Sequence, residues 1–252
     1  MDNKIKKEEG RIVIYHSISS SQPMEILHNI TVGSLPDMLL PTSNCKTVLI
    51  AIEAEPYTYN GSLVDPEGGV GILKIAKNVT YKKLDFKNFN LRWSELESKG
   101  LRFINRENNN LFSNDVEPEY ITFNKEETKA YICLQENNAI AVVDLKTEKI
   151  EDILPLGFKS WGNYKMDASD RDNGINMRPW PVFGMYQPDS IHTIEVAGES
   201  YLVTANEGDS KDYSAFGGFN EEARVKDVNI SADSPILSWA SQHNTSANIQ
   251  NE

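Results

Sequence analysis

Residues 118–136 read Pro118-Glu119-Tyr120-Ile121-Thr122-Phe123-Asn124-Lys125-Glu126-Glu127-Thr128-Lys129-Ala130-Tyr131-Ile132-Cys133-Leu134-Gln135-Glu136. An acid follows a proline, an apolar run leads into a polar turn, and a second apolar run ends near a second acid. That is a β-hairpin with a carboxylate on each arm of its open end. The pattern occurs three times: Asp37 is followed after sixteen residues by Glu53, Glu119 after seventeen by Glu136, and Asp189 after eighteen by Glu207. The second arms are Thr47 to Ile52, Ala130 to Leu134 and Tyr201 to Ala205. Self-similarity of this kind predicts a repeat architecture in which neighbouring units cover each other's apolar faces.

Two units continue. Gly69 to Ile75 and Asn138 to Leu145 read as third strands, and Tyr81 to Phe86 and Lys149 to Leu156 as fourth strands. Arg11 to Tyr15 with Met24 to Ile30 reads as strands three and four of a preceding unit. Four antiparallel strands per unit predict blades of a β-propeller, incomplete here, with three to four blades in residues 10–235 and a disordered tail over 236–252. Pro36, Pro118 and Pro188 stand 82 and 70 residues apart, more than the roughly 40–50 residues of an ordinary blade, so long loops are inserted. Leu91 to Gly100 reads as a short helix on the rim, 105–114 as a mobile Asn-rich loop, and Trp180 to Tyr186 as an aromatic plug. Residues 221–228 alternate like a third strand of the last unit.

The 252 residues carry 37 acidic and 25 basic side chains, a net charge of −12, with the basic ones scattered. Such a surface disfavours nucleic acid and favours cations. No apolar run approaches the roughly 18 residues of a membrane helix, and residues 1–11 lack a signal-type apolar segment. Cys45 and Cys133 occupy non-equivalent positions and define no disulfide framework. Both edges of the first two strands' open end face the same way, so Asp37, Glu53, Glu119, Glu136, Asp189 and Glu207 are expected around one mouth. There they would hold a divalent ion, with calcium the candidate, or a hydrogen-bonded network, with Arg224 as a further partner. Asp170 and Asp172 near Gly174 form a second oxygen-rich candidate, although the EF-hand spacing fails there. The four histidines lack ligand spacing, and no catalytic set emerges.

Several strings are similar to the choice-of-anchor I domain proteins, among them Leu35-Pro36-Asp37-Met38-Leu39, Asp65-Pro66-Glu67-Gly68, Trp180-Pro181-Val182-Phe183-Gly184-Met185-Tyr186-Gln187-Pro188-Asp189 and Thr204-Ala205-Asn206-Glu207-Gly208-Asp209. The resemblance implies a secreted or surface-anchored propeller with YVTN/WD40-like blades, corresponding to the front part of the family's propeller. It further implies a non-enzymatic extracellular or cell-surface glycoprotein of the biomineralization type, whose partners are matrix or a mineral surface. An alkaline phosphatase-like, metal-dependent phosphoesterase is the competing expectation. Ala51-Ile52-Glu53-Ala54-Glu55 departs from the family's Ala-Asn-Glu-Gly-Glu. Sequons at Asn29, Asn60, Asn78, Asn229 and Asn244 suit a glycoprotein.

Overall fold

The computed structural model describes residues 9–16, 23–106, 110–171, 173–214 and 218–242. The chain is all-β, with several antiparallel sheets and few helices. Along it run β1 (Arg11–Tyr15), β2 (Ile26–Thr31), β3 (Pro36–Pro41), β4 (Thr47–Ile52), β5 (Tyr57–Tyr59), β6 (Ser62–Val64), β7 (Gly69–Lys74) and β8 (Thr80–Leu84). Helices α1 (Trp93–Glu97) and α2 (Phe112–Asp115) precede β9 (Pro118–Phe123), β10 (Lys129–Leu134), β11 (Ala139–Asp144) and β12 (Lys149–Pro155). Then come β13 (Lys159–Ser160), β14 (Phe183–Gly184), β15 (Pro188–Val196), β16 (Glu199–Asn206) and α3 (Pro235–Gln242). Two compact units divide the chain: residues 1–156 with 187–209, and residues 157–186 with 210–252.

The first unit carries the repeat. Two four-stranded sheets have the orders β3-β4-β7-β8 and β9-β10-β11-β12, and two hairpins, β1-β2 and β15-β16, stand as two-stranded sheets. Neighbouring sheets stack through their leading strands, β9 on β3 and β4, and β15 on β9 and β10. Among the described residues the sheets close into no barrel or ring. Apolar clusters fill the gaps between sheets: Ile12, Ile50, Ile52 and Leu73 in the first, Leu49, Ile72, Ile121, Ile132 and Leu134 in the second, Cys133, Ile140 and Ile191 in the third. Both faces of β4, β7, β10 and β11 are therefore covered, which is why these strands read as continuous apolar runs rather than alternating ones.

At the closed ends, turn chemistry is local and specific. Asn124 Oδ1 accepts from the N–H groups of Thr128 (2.9 Å) and Lys129 (2.7 Å), and Asp144 Oδ1 from that of Thr147 (2.6 Å). The same ends tie neighbouring sheets together. Glu127 accepts from Ser43 N at 2.6 Å and Ser43 Oγ at 3.0 Å, and Glu148 pairs with Lys74 and with Lys82 at 3.3 Å.

Three expectations about the insertions need correction. The segment between β8 and β9 does not decorate the rim: Phe86, Phe89, Leu96, Leu101, Phe103, Phe112 and Val116 are all buried members of the largest core cluster. Trp93, Phe103 and Phe112 stack edge to face at centroid distances of 5.4 and 5.8 Å, and Arg106 lies 4.7 Å over Trp93. Gly100, at φ 105°, lets the chain turn back after α1. The Asn-rich stretch is anchored rather than loose. Asn105 and Asn110 each donate to Asp65 Oδ2 at 3.0 Å, Asn114 donates to Asp65 O at 3.1 Å, and Asn105 is buried. Residues 107–109 lie outside the described ones. The third strand expected over residues 221–228 is absent, and Val225–Asp227 forms a 3-10 turn instead.

The second unit holds β13 paired with β14, a Met166–Arg178 bridge and α3. Of the expected aromatic plug, Trp180 is buried, donating from Nε1 to Met166 O at 3.0 Å and stacking on Trp239 of α3, whereas Phe183 and Met185 are exposed. The expected tail is corrected likewise, since residues 236–242 are helical and only 243–252 lie outside the description. If the insertion is core, Phe112→Ala lowers unfolding free energy by about 3–5 kcal/mol. Leu91→Ala, at a side chain 97% exposed, changes it by less than about 0.5 kcal/mol. Urea denaturation of both variants checks this.

Candidate functional site

Strand pairing places the acids. Pro36 stands opposite Ile52, Pro118 opposite Leu134 and Pro188 opposite Asn206, so each hairpin's two carboxylates emerge at the open end. All three hairpins share a feature invisible in the sequence. Between the proline and the next paired residue (Leu39, Ile121, Ser190) the leading strand carries one more residue than its partner, a β-bulge that contains the acid each time. A bulge bends its strand and re-aims side chains, and each leading acid, Asp37, Glu119 and Asp189, lies in one. Leu35 and Gln187, the residues before two of the prolines, adopt left-handed backbone at φ 48° and 40°, a strained choice for non-glycine residues. Hydrogen bonds hold both: Glu53 N donates to Leu35 O at 3.0 Å, Gly208 N to Gln187 O at 3.3 Å, and Gln187 N to Asn138 Oδ1 at 3.1 Å.

The acids of different hairpins feel one another. Burial pushes the Glu119 carboxyl up from 4.5 to about 10, with Glu136, Glu53, Asp189 and Asp37 adding repulsion in that order. Glu119 Oε2 is buried and has no hydrogen-bond partner. The Asp37 carboxyl is also raised, by partial burial first and by Asp189 second. Glu136 is buried, at 5% exposure. Glu207 joins through Gln135, whose Nε2 donates to Glu207 Oε2 at 3.1 Å. The hairpins of three successive sheets thus bring their carboxylates to one end. Among the described residues, however, no three Asp, Glu, His or Cys side chains converge closely enough to hold a metal ion as they stand.

Sequence reasoning missed that three residues adjoin this site. Cys133, fully buried between Ile140 and Ile191, has its thiol pushed up by burial and then by Glu119 and Asp189, so it is an inert wall rather than a nucleophile. Gln135 and Gln187 bridge hairpins, and their places beside Glu136 and beside Pro188-Asp189 were the available signal. Buried behind them, Asn137 Nδ2 donates to Asp115 Oδ2 and Arg102 O, both at 3.0 Å, and Asp115 accepts from Ile104 N and Asn105 N. This network locks the Gln135–Asn138 turn that carries Glu136.

Arg224 does not serve the acidic end. It makes a two-pronged ion pair with Asp170, at 2.9 and 3.0 Å, within the second unit, and holds that carboxyl below its usual range. Both Asp170 oxygens are therefore engaged by a cation already present in the chain, and Asp172 lies outside the described residues. The sequon residues Asn29, Asn60, Asn78 and Asn229 are exposed, Asn60 at the tip of the β5–β6 hairpin, while Asn244 lies outside the described residues.

The model of the choice-of-anchor I domain matches residues 1–251. The chain belongs to the choice-of-anchor I family. A curated relative from Strongylocentrotus purpuratus, the mesenchyme-specific cell surface glycoprotein, is 48% identical over 99 residues, which is 38% of this chain and 13% of the relative. The matched stretch is thus a small part of that protein's length. The bulges that contain Asp37, Glu119 and Asp189 all lie within the residues matched to the choice-of-anchor I domain.

A sign follows for stability. Between its ordinary value of 4.5 and about 10, Glu119 keeps a proton in the folded chain that the unfolded chain has released. The folded state binds more protons there, so stability falls as pH rises through that window, by at most about 1.4 kcal/mol per pH unit for one group. Glu119→Gln is expected to flatten the decline in melting temperature across that window and to melt above the wild type at its alkaline end. Parallel curves for the two proteins would remove Glu119 from the account.

Proposed function

We propose that the chain is part of a non-enzymatic extracellular or cell-surface glycoprotein whose stacked sheets are consecutive propeller blades, and whose acidic end binds calcium, a mineral surface or a cationic matrix partner. The observation that carries this reading is the crowding of Glu119 with Glu136, Glu53, Asp189 and Asp37. Such crowding is unfavourable unless protons or cations offset it, and a divalent ion shared among facing carboxylates offsets more than one at once. Oxygen-only donors without histidine suit calcium rather than zinc. Four strands per complete sheet, a shared leading-strand contact between sheets and a constant bulge support the propeller reading. The acidic end is an attracting surface, with Asp37, Glu53, Asp189 and Glu207 as its outer carboxylates and Glu119 and Glu136 as its inner pair. Exposed sequons and the name of the sea-urchin relative favour a cell-surface setting.

Calcium titration followed by thermal melting tests the reading. A ligand that binds only the folded chain stabilises it by about 2.7 kcal/mol at one hundred times its dissociation constant. The melting temperature should therefore rise with calcium at neutral pH, and less so for the Glu119→Gln, Glu136→Gln double variant. A flat titration would sink the calcium proposal. Hydrolysis of p-nitrophenyl phosphate with added metal, lost in Glu207→Gln, would overturn the non-enzymatic reading in favour of the phosphoesterase.

A further inference from the structure

Glycine follows asparagine at two places in the chain, Asn60-Gly61 and Asn173-Gly174. In that dipeptide the main-chain nitrogen of the glycine can close on the asparagine side chain, because no Cβ obstructs its approach. A bond forms from that nitrogen to Cγ, the bond from Cγ to the side-chain nitrogen breaks, and ammonia leaves with the glycine's amide proton. Water then opens the five-membered imide at either carbonyl, leaving aspartate or isoaspartate. The dipeptide alone ranks the two places equally.

The backbone around them separates them. Both asparagines are exposed and left-handed, at φ 50° and 59°, and a Cβ on either glycine would meet no atom within 4 Å. Access is therefore open at both, and what differs is how the chain is held. Asn60 and Gly61, at φ 50° and 76°, are the two central residues of the β5–β6 turn. Positive φ at both positions is what a two-residue hairpin requires, and Asn-Gly is a preferred pair there. Directly behind them Tyr59 pairs with Ser62, then Thr58 with Leu63 and Tyr57 with Val64. Rotating the Gly61 nitrogen onto the Asn60 side chain breaks this turn and loosens the pairing behind it.

Asn173 has no such frame. The chain from Met166 to Arg178 is closed by one isolated bridge between those two residues, and no described residue between them belongs to a strand or helix. The Asp170–Arg224 ion pair anchors the segment ahead of Asn173, but no hydrogen bond between described residues involves Asn173 or Gly174. Beyond them Ile175 is 84% and Met177 53% exposed. A segment with so little apolar burial and pairing opens at low cost.

We propose that Asn173 is a modification site that converts spontaneously to isoaspartate and aspartate, while Asn60, held in its hairpin, stays asparagine. The product adds a carboxylate, and in the isoaspartate an extra backbone methylene, to a segment that already carries Asp167 and Asp170.

Incubation of the full, unglycosylated chain in mildly alkaline buffer, followed by tryptic mass spectrometry and labelling with an isoaspartyl methyltransferase, tests this. Residues 172–178 are expected to deamidate at Asn173, located by fragmentation, and to take up the methyl label. Their rate should exceed that of residues 47–74, which contain Asn60, by about tenfold, equivalent to about 1.4 kcal/mol of opening cost. In urea, where the hairpin is lost, the two rates should converge. Gly174→Ala, with its circular dichroism unchanged, should slow conversion at Asn173 severalfold and leave Asn60 as it was. An Asn173 that stays intact in the folded chain, an Asn60 that converts as fast before unfolding, or a Gly174→Ala chain that converts at the wild-type rate would each overturn the proposal.

Discussion

The first unit depends on burial of apolar side chains between successive sheets, and that burial dictates where the charges go. Leu49, Ile72, Ile121, Ile132 and Leu134 reach the core only if β9 lies against β3 and β4. Each fully buried side chain of this size contributes about 1.5–3 kcal/mol. Once the sheets are stacked, the open ends of their hairpins are neighbours, and carboxylates far apart in the chain meet. Core burial over dozens of side chains outweighs the repulsion among a few acids, so the crowding is tolerated rather than avoided.

The two ends of the sheets consequently differ in character. At the closed ends, acids meet cations or backbone donors: Glu148 has Lys74 and Lys82, and Glu127 has Ser43. At the open ends, acids meet acids, and the Glu119 carboxyl responds by holding its proton. The bulges and the left-handed Leu35 and Gln187 shape the backbone at the leading acids, while Asn137, Asp115 and Arg102 fix the trailing turn of the middle hairpin from behind. An end built with this much backbone constraint holds its charges in place.

Much of the sheet structure was legible in the chain because hairpin signals are local. Thr47 to Ile52 is β4 to the residue, and the strand assignments for β1, β7, β10, β11 and β12 hold within a residue or two. What the chain concealed depends on contacts between distant segments. Nothing near Asn105 announces that Asp65 will hold it, and nothing near Arg224 announces Asp170 rather than the acidic end. The insertion before β9 looked peripheral because its aromatic residues are spread among polar ones, whereas the fold collects them into the main core. For the site, spacing alone located the acids, and the bulge that aims them became visible only in the strand register.

The central claim is that Glu119 sits among like charges with too few donors to stay ionised. Carbon-13 NMR of the side-chain carboxyls, followed against pH on the intact chain, reads this residue directly. The account predicts that Glu119 titrates far above 4.5, toward about 10, and that calcium draws its midpoint down. A Glu119 midpoint near 4.5 without added cation would contradict it.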